Sequence, residues 1–170
     1  MRLPFFRSRS SRRIHTFGRD GGRADHPVQP PPPQPRELID VVGIGRTETV
    51  GGVALTLLSV ERYREGHIAL FRLLRAQGHF ERDIPSPHLE LSVVPEGTVP
   101  YRSRMMGGTG GGLRDRELEY RQSYAIVPAP PSAASEVVIE VREISWKRYC
   151  SGTYKVVSVD TGPWRFTISP

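Results

Sequence analysis

Gly162-Pro163-Trp164-Arg165-Phe166-Thr167-Ile168 is the stretch that decides the fold. A turn feeds a strand whose Trp164, Phe166 and Ile168 point one way while Arg165, Thr167 and Ser169 point the other, the period of two that a half-buried strand imposes. Working upstream, the same alternation returns in Val137, Ile139 and Val141, set against Glu136, Glu140 and Arg142. It returns again in Leu118, Tyr120, Tyr124 and Ile126, opposite Glu117, Glu119, Arg121 and Ser123. Leu89, Leu91 and Val93 alternate with His88, Glu90 and Ser92.

The segments between are punctuation. Pro95-Glu96-Gly97-Thr98 reads as a turn, Met105–Gly112 as a flexible glycine-rich loop, and Pro128-Ala129-Pro130-Pro131 as a chain break. Further upstream Leu38–Arg46 is β-rich, and Gly51-Gly52 turns the chain into a strand over Val53–Tyr63. There the apolar phase runs Val53, Leu55, Leu57 and then switches to Leu58, Val60, the mark of a β-bulge or of a central strand buried on both faces. Glu65-Gly66 reads as a tight hairpin turn returning through Ile68–Leu74. An amphipathic helix over Ile68–Ala76 competes, but the β-rich flanks and the hairpin glycine favour a strand. Residues 153–159 and 163–168 read as a final pair of strands with Asp160-Thr161-Gly162-Pro163 between them. About eight short strands follow, with no helix: an all-β chain, a sandwich rather than a barrel because the turns are irregular and two long loops, near 77–87 and 103–114, suit crossovers between sheets. Trp146 and Trp164 are expected as core plugs rather than ligand platforms; Trp164 is the safer of the two, since a phase slip before Trp146 leaves partial exposure open there.

The order Glu96-Gly97-Thr98, Tyr101, glycine-rich segment, charged strand with Tyr120, Val127-Pro128-Ala129-Pro130-Pro131, Val/Ile strand and Gly162-Pro163-Trp164-Arg165-Phe166 resembles a group of immunoglobulin-like β-sandwich proteins of high-GC bacteria. The resemblance spans roughly residues 38–168. Val99 and Pro100 depart from it by separating Thr98 from Tyr101, and the group's acidic pair is reduced to Glu96. It implies an immunoglobulin-like sandwich and carries over no catalytic residue.

The formal charge of +6 is unevenly placed. Residues 1–36 carry eight Arg against Asp20 and Asp25, whereas residues 37–170 carry 16 cationic and 16 acidic side chains and balance. Residues 1–35 lack periodicity and end in Pro30-Pro31-Pro32-Pro33-Gln34-Pro35, so they read as a disordered tail followed by a β-sandwich domain over 36–170. Arg7, Arg9, Arg12 and Arg13, interleaved with serines, suit weak contact with nucleic acid or another anionic surface. Cys150 is the single cysteine, which rules out an intrachain disulfide. No stretch approaches the roughly 18–20 apolar residues that span a bilayer, and arginines interrupt the apolar run after Met1, so the expected location is the cytoplasm.

Chemistry is sparse. The glycine run is followed by no Gly-Lys-Ser/Thr and shows no G-x-G-x-x-G spacing, which argues against phosphate binding. His67, His79 and His88 with Glu81 and Asp83 are zinc-competent ligand types in a spacing that matches no finger or protease motif. Cys150 lies in Arg148-Tyr149-Cys150-Ser151-Gly152, beside two cations of the kind that lower a thiol pKa but without an evident base. The expected function is therefore a non-catalytic, cofactor-free binding or accessory module for another protein, whose strand edges are open to an extended partner. Two alternatives stand beside it: anionic-surface binding through the Arg-rich tail, and a small hydrolase with a site assembled from distant residues.

Overall fold

Pairing of backbone groups between strands, with one face of each strand turned inward, accounts for the described residues of the computed structural model: 35–76, 84–94, 100–112, 117–130 and 136–168. They form eight strands: β1 (Leu38–Val50), β2 (Val53–Tyr63), β3 (His67–Ala76), β4 (Ser86–Val94), β5 (Arg102–Gly112), β6 (Glu117–Val127), β7 (Val137–Cys150) and β8 (Thr153–Ile168). Every pairing is antiparallel. One sheet has the order β1-β2-β3-β6-β5 and the other β4-β7-β8, so the chain is an all-β sandwich of five strands on three. The tail, residues 1–34, lies outside the described residues.

The core lies between the sheets. Leu55 and Leu57 of β2, Phe71 of β3 and Leu118 and Tyr124 of β6 meet Ile139, Ile144 and Trp146 of β7 and Trp164 and Phe166 of β8. Phe71 sits edge-on to Tyr124, with ring centroids 6.2 Å apart, and 5.9 Å from Phe166. Trp164 donates its indole N–H to the carbonyl of Val53 across the sandwich, at 3.2 Å, which satisfies the polar tip of a buried ring. The phase switch in β2 is a β-bulge: its register against β3 slips between Leu57 and Ser59. The Glu65-Gly66 hairpin forms as expected, with Tyr63 N–H donating to the Gly66 carbonyl at 2.8 Å.

Two sequence expectations need correction. Met105–Gly112 is no loop but the body of edge strand β5, paired with β6 from Arg102↔Val127 to Gly112↔Leu118. Gly108 and Gly110 are required by close approach, whereas Gly107 and Gly111 face open space. A Cβ on Gly110 would lie 2.3 Å from the Tyr120 ring and 2.5 Å from the Glu119 carbonyl, and one on Gly108 would lie 2.9 Å from Gln122 Cγ. Residues 153–159 and 163–168 do not pair with each other; they are successive parts of β8, both laid against β7. Trp146, like Trp164, is a core side chain and fully buried (0%). An extra residue, Arg142, enters β7 where the register against β4 slips between Glu90 and Leu91, and this restores Ile144 and Trp146 to the inner face.

Candidate binding surfaces

Buried polar groups tie the sheets together and explain what is fixed. Tyr120 donates its hydroxyl to the Pro85 carbonyl at 2.7 Å, and Gln122 donates its amide N–H to the Pro87 carbonyl at 2.8 Å. The Leu89 N–H donates to the Tyr124 hydroxyl at 2.9 Å, and that hydroxyl donates to Gln122 Oε1 at 3.2 Å. Three alternate residues of β6, Tyr120, Gln122 and Tyr124, thereby hold backbone groups at and just before the start of β4. Burial pushes the Tyr120 hydroxyl up to about 12 and the Tyr124 hydroxyl higher still, so both stay protonated donors. A second tie centres on Asp160 of β8. It accepts the Trp146 indole N–H at 2.6 Å and pairs with Arg75 of β3 at 3.2 Å, while the Arg75 guanidinium lies 4.6 Å from the centre of the Trp146 ring. These groups read as inter-sheet struts: each has its partner within the protein.

Of the residues considered for metal or nucleophile chemistry, those among the described residues are dispersed. His79, Glu81 and Asp83 lie outside the described residues. His67 begins β3 opposite Ile126, His88 sits on β4 opposite Ser145, and Cys150 ends β7 at the far tip of the β7–β8 hairpin. Burial lowers the His67 pKa below its ordinary value and favours the neutral ring. Among the described residues no group of three His, Cys, Asp or Glu gathers as a metal would need. Arg7, Arg9, Arg12 and Arg13 also lie outside them.

Two exposed surfaces remain. The first is the start of β1, an edge strand paired only with β2. Leu38, Ile39 and Val41 are exposed there, Ile39 by 68%. The segment is anchored from its inner side: Arg64 N–H donates to the Glu37 carbonyl at 3.1 Å, Arg64 pairs with the Glu37 carboxylate at 3.2 Å, and Arg62 with Asp40 at 3.7 Å. Register slips between Leu38 and Asp40 and between Gly43 and Arg46, a common way for an edge to twist. The second surface is the β7–β8 hairpin, closed by Ser151-Gly152, both at positive φ (49° and 87°) as the twist of a two-residue hairpin turn demands. Tyr149, Tyr154, Val156, Val157 and Val159 are exposed on it. Sequence reading missed both, because an exposed valine and a core valine are written alike; the signal available was the crowding of cations around Tyr149 and Tyr154.

No family model and no curated protein matches the chain. Among solved structures it is similar to the crystal structure of the conserved domain protein from Bacillus anthracis, with a TM-score of 0.54 at 15% identity over 76% of this chain and 48% of that one. The chain thus spans about half the length of that protein, and the likeness is one of fold. Among the described residues no helix is long and apolar enough to cross a membrane.

Proposed function

We propose that this chain is a non-catalytic, immunoglobulin-like β-sandwich module that binds an extended segment of another protein along the outer edge of β1. The observation that carries the reading is the run of exposed Leu38, Ile39 and Val41 on a strand with only one sheet neighbour. An added strand would take its affinity from main-chain hydrogen bonds and its specificity from alternate side chains packed on those three residues. The ladder between β1 and β2 holds the strand extended beforehand, which lowers the ordering cost of docking. The dispersal of His67, His88 and Cys150 over separate strands supports a binding role over a hydrolytic one.

The test is hydrogen exchange on the full chain with a partner purified from native extract. Backbone amides of residues 38–42 should gain protection when the partner binds, and Ile39→Lys with Val41→Lys should abolish that gain without lowering the melting temperature. Protection elsewhere with none at β1, or turnover in a broad substrate screen, would overturn the reading.

A further inference from the structure

His67 takes no part in the inter-sheet struts, yet it is turned inward. It opens β3 in the phase of the buried Ala69, Phe71 and Leu73, at the end of the sandwich where β2 turns back through Glu65-Gly66. Its Nδ1 is buried and has no hydrogen-bond partner. The register sets it in a row that crosses the whole five-stranded sheet: Asp40 of β1, Arg62 of β2, His67 of β3, Ile126 of β6 and Ser103 of β5. Arg62, its side chain only 21% exposed, pairs with Asp40 at 3.7 Å. The cation that ties the start of β1 to β2 is therefore the one that stands opposite the imidazole.

The surroundings of the ring decide which way a proton acts. Burial favours the neutral imidazole most and Arg62 adds to it, while the Gly66 backbone and Asp40 oppose both; the balance holds the pKa below the ordinary 6.5. On the other flank Ile126 and Ser103 are not titratable, and Arg102 and Arg104 take the alternate phase of β5. Glu61 and Tyr63 of β2 bond to each other, and Glu37 pairs with Arg64. Tyr101, packed against the core just before β5, is pushed up by burial and stays neutral. Across the core, Trp164 reaches Val53 and Phe166 reaches Phe71, so Ile168 and its partner Val137 lie towards the His67 end. Both are apolar, as is Val93 of β4. A proton on His67 thus places a second cation beside Arg62, with Asp40 as the carboxylate of the row. We propose that His67 is a proton switch on the β1 edge: the neutral ring keeps this end of the sandwich closed and β1 seated on β2, and protonation opens the end and releases what β1 holds. Its purpose rests on the β1 docking reading, but the opening itself is a property of the free chain.

The sign follows from linkage. The opened end binds the proton more readily than the closed one, so the open form gains as pH falls from 6.5 towards the depressed value. Hydrogen exchange of the full chain at pH 7.5 and 5.0, corrected for intrinsic exchange rates, reads this without a partner. Protection of residues 38–46 and 61–66 should fall several-fold at pH 5.0 and by at most about 30-fold, because one proton shifts an equilibrium no more than tenfold per pH unit. His67→Gln should show no such fall, and His88→Gln should keep it. Stopping at pH 5.0 leaves most carboxylates ionised. Ring NMR of the five histidines, with His67 assigned by its absence in His67→Gln, should give a midpoint below 6.5, and Asp40→Asn should lower it further. The switch is overturned by β1 protection that does not change with pH, by a fall that persists in His67→Gln, or by a midpoint at or above 6.5. It is also overturned by a midpoint that stays or rises in Asp40→Asn, a readout that stands even where His67→Gln fails to fold. A partner that docks away from β1 overturns the docking reading and leaves these titrations as they are.

Discussion

Strand β8 passes through two environments, and the contrast shows what a strand's sequence says and omits. From Trp164 to Ile168 every second side chain enters the core, and Arg165 between them pairs with Glu140 at 2.7 Å. From Tyr154 to Val159 the residues are as β-prone, yet Tyr154, Val156, Val157 and Val159 face solvent. The two parts share a backbone partner, β7, over their whole length. What differs is the opposite sheet: Val53 and Phe71 cover the later part, whereas the earlier part runs past Asp160 and Ser158, its last ties to Arg75, and out beyond the sandwich. Burial is a property of what stands across the core, and period alone does not report it.

The comparison breaks most sharply at Trp164. Truncation to Ala removes a fully buried indole together with its hydrogen bond to Val53 and should cost about 3–5 kcal/mol. Domains of this size hold only about 5–15 kcal/mol, so the melting temperature should fall visibly or folding should be lost. Trp146→Ala should behave alike, because its ring is equally buried and also carries the Asp160 and Arg75 contacts. Denaturant melts check both. A cost under about 1 kcal/mol at either position would mean that the two parts of β8 do not differ as described.

Between these extremes lies Glu140, on the outer face of β7 and flanked by Arg165 at 2.7 Å and Arg142 at 3.1 Å. The hydrogen bond from Arg165, aided by Arg142, holds its carboxyl below the ordinary value of 4.5. A carboxylate depressed in the folded state contributes stability that is present above the unfolded pKa and lost as pH falls through the folded one. Melting temperature should therefore decline as pH drops below about 4.5, and Glu140→Gln should shallow that decline while lowering stability slightly at neutral pH. An acid limb identical in the variant would show that the arginines leave Glu140 unperturbed.

Much of this architecture was legible in the chain. Alternation located β2, β4, β6 and the ends of β7 and β8, and the phase switch at Leu58 marked a bulge that exists. β5 was illegible because glycine has no side chain with which to show a period; its extended form appears only through the β6 side chains lying over Gly108 and Gly110. Trp146 was harder to read than Trp164 because one extra residue, Arg142, resets the phase of β7 against β4. Gln122 shares the inward phase of Tyr120 and Tyr124, but its polarity hid it from a pattern that counts only apolar residues. Asp160 read as a turn residue and is a strut, since the partners that make it one lie on other strands, 85 residues away in the case of Arg75. The two candidate surfaces were the least legible. Exposure of Ile39 or Val156 follows from where the opposite sheet stops, and no local pattern records that.

The smallest expected effect sharpens the comparison from its other side. Val156 is 56% exposed and pairs across the hairpin with Lys147, outside the core cluster. Val156→Ser removes little buried area and gives up only some β-propensity, so it should change stability by less than about 0.5 kcal/mol. Set against Trp164→Ala, that is a difference of several-fold between two apolar residues eight positions apart on one strand. The measurement is a pair of urea melts at matched pH with equal m-values, so that midpoints compare directly. A loss above about 1 kcal/mol from Val156→Ser would place this valine in a packed environment in the free protein.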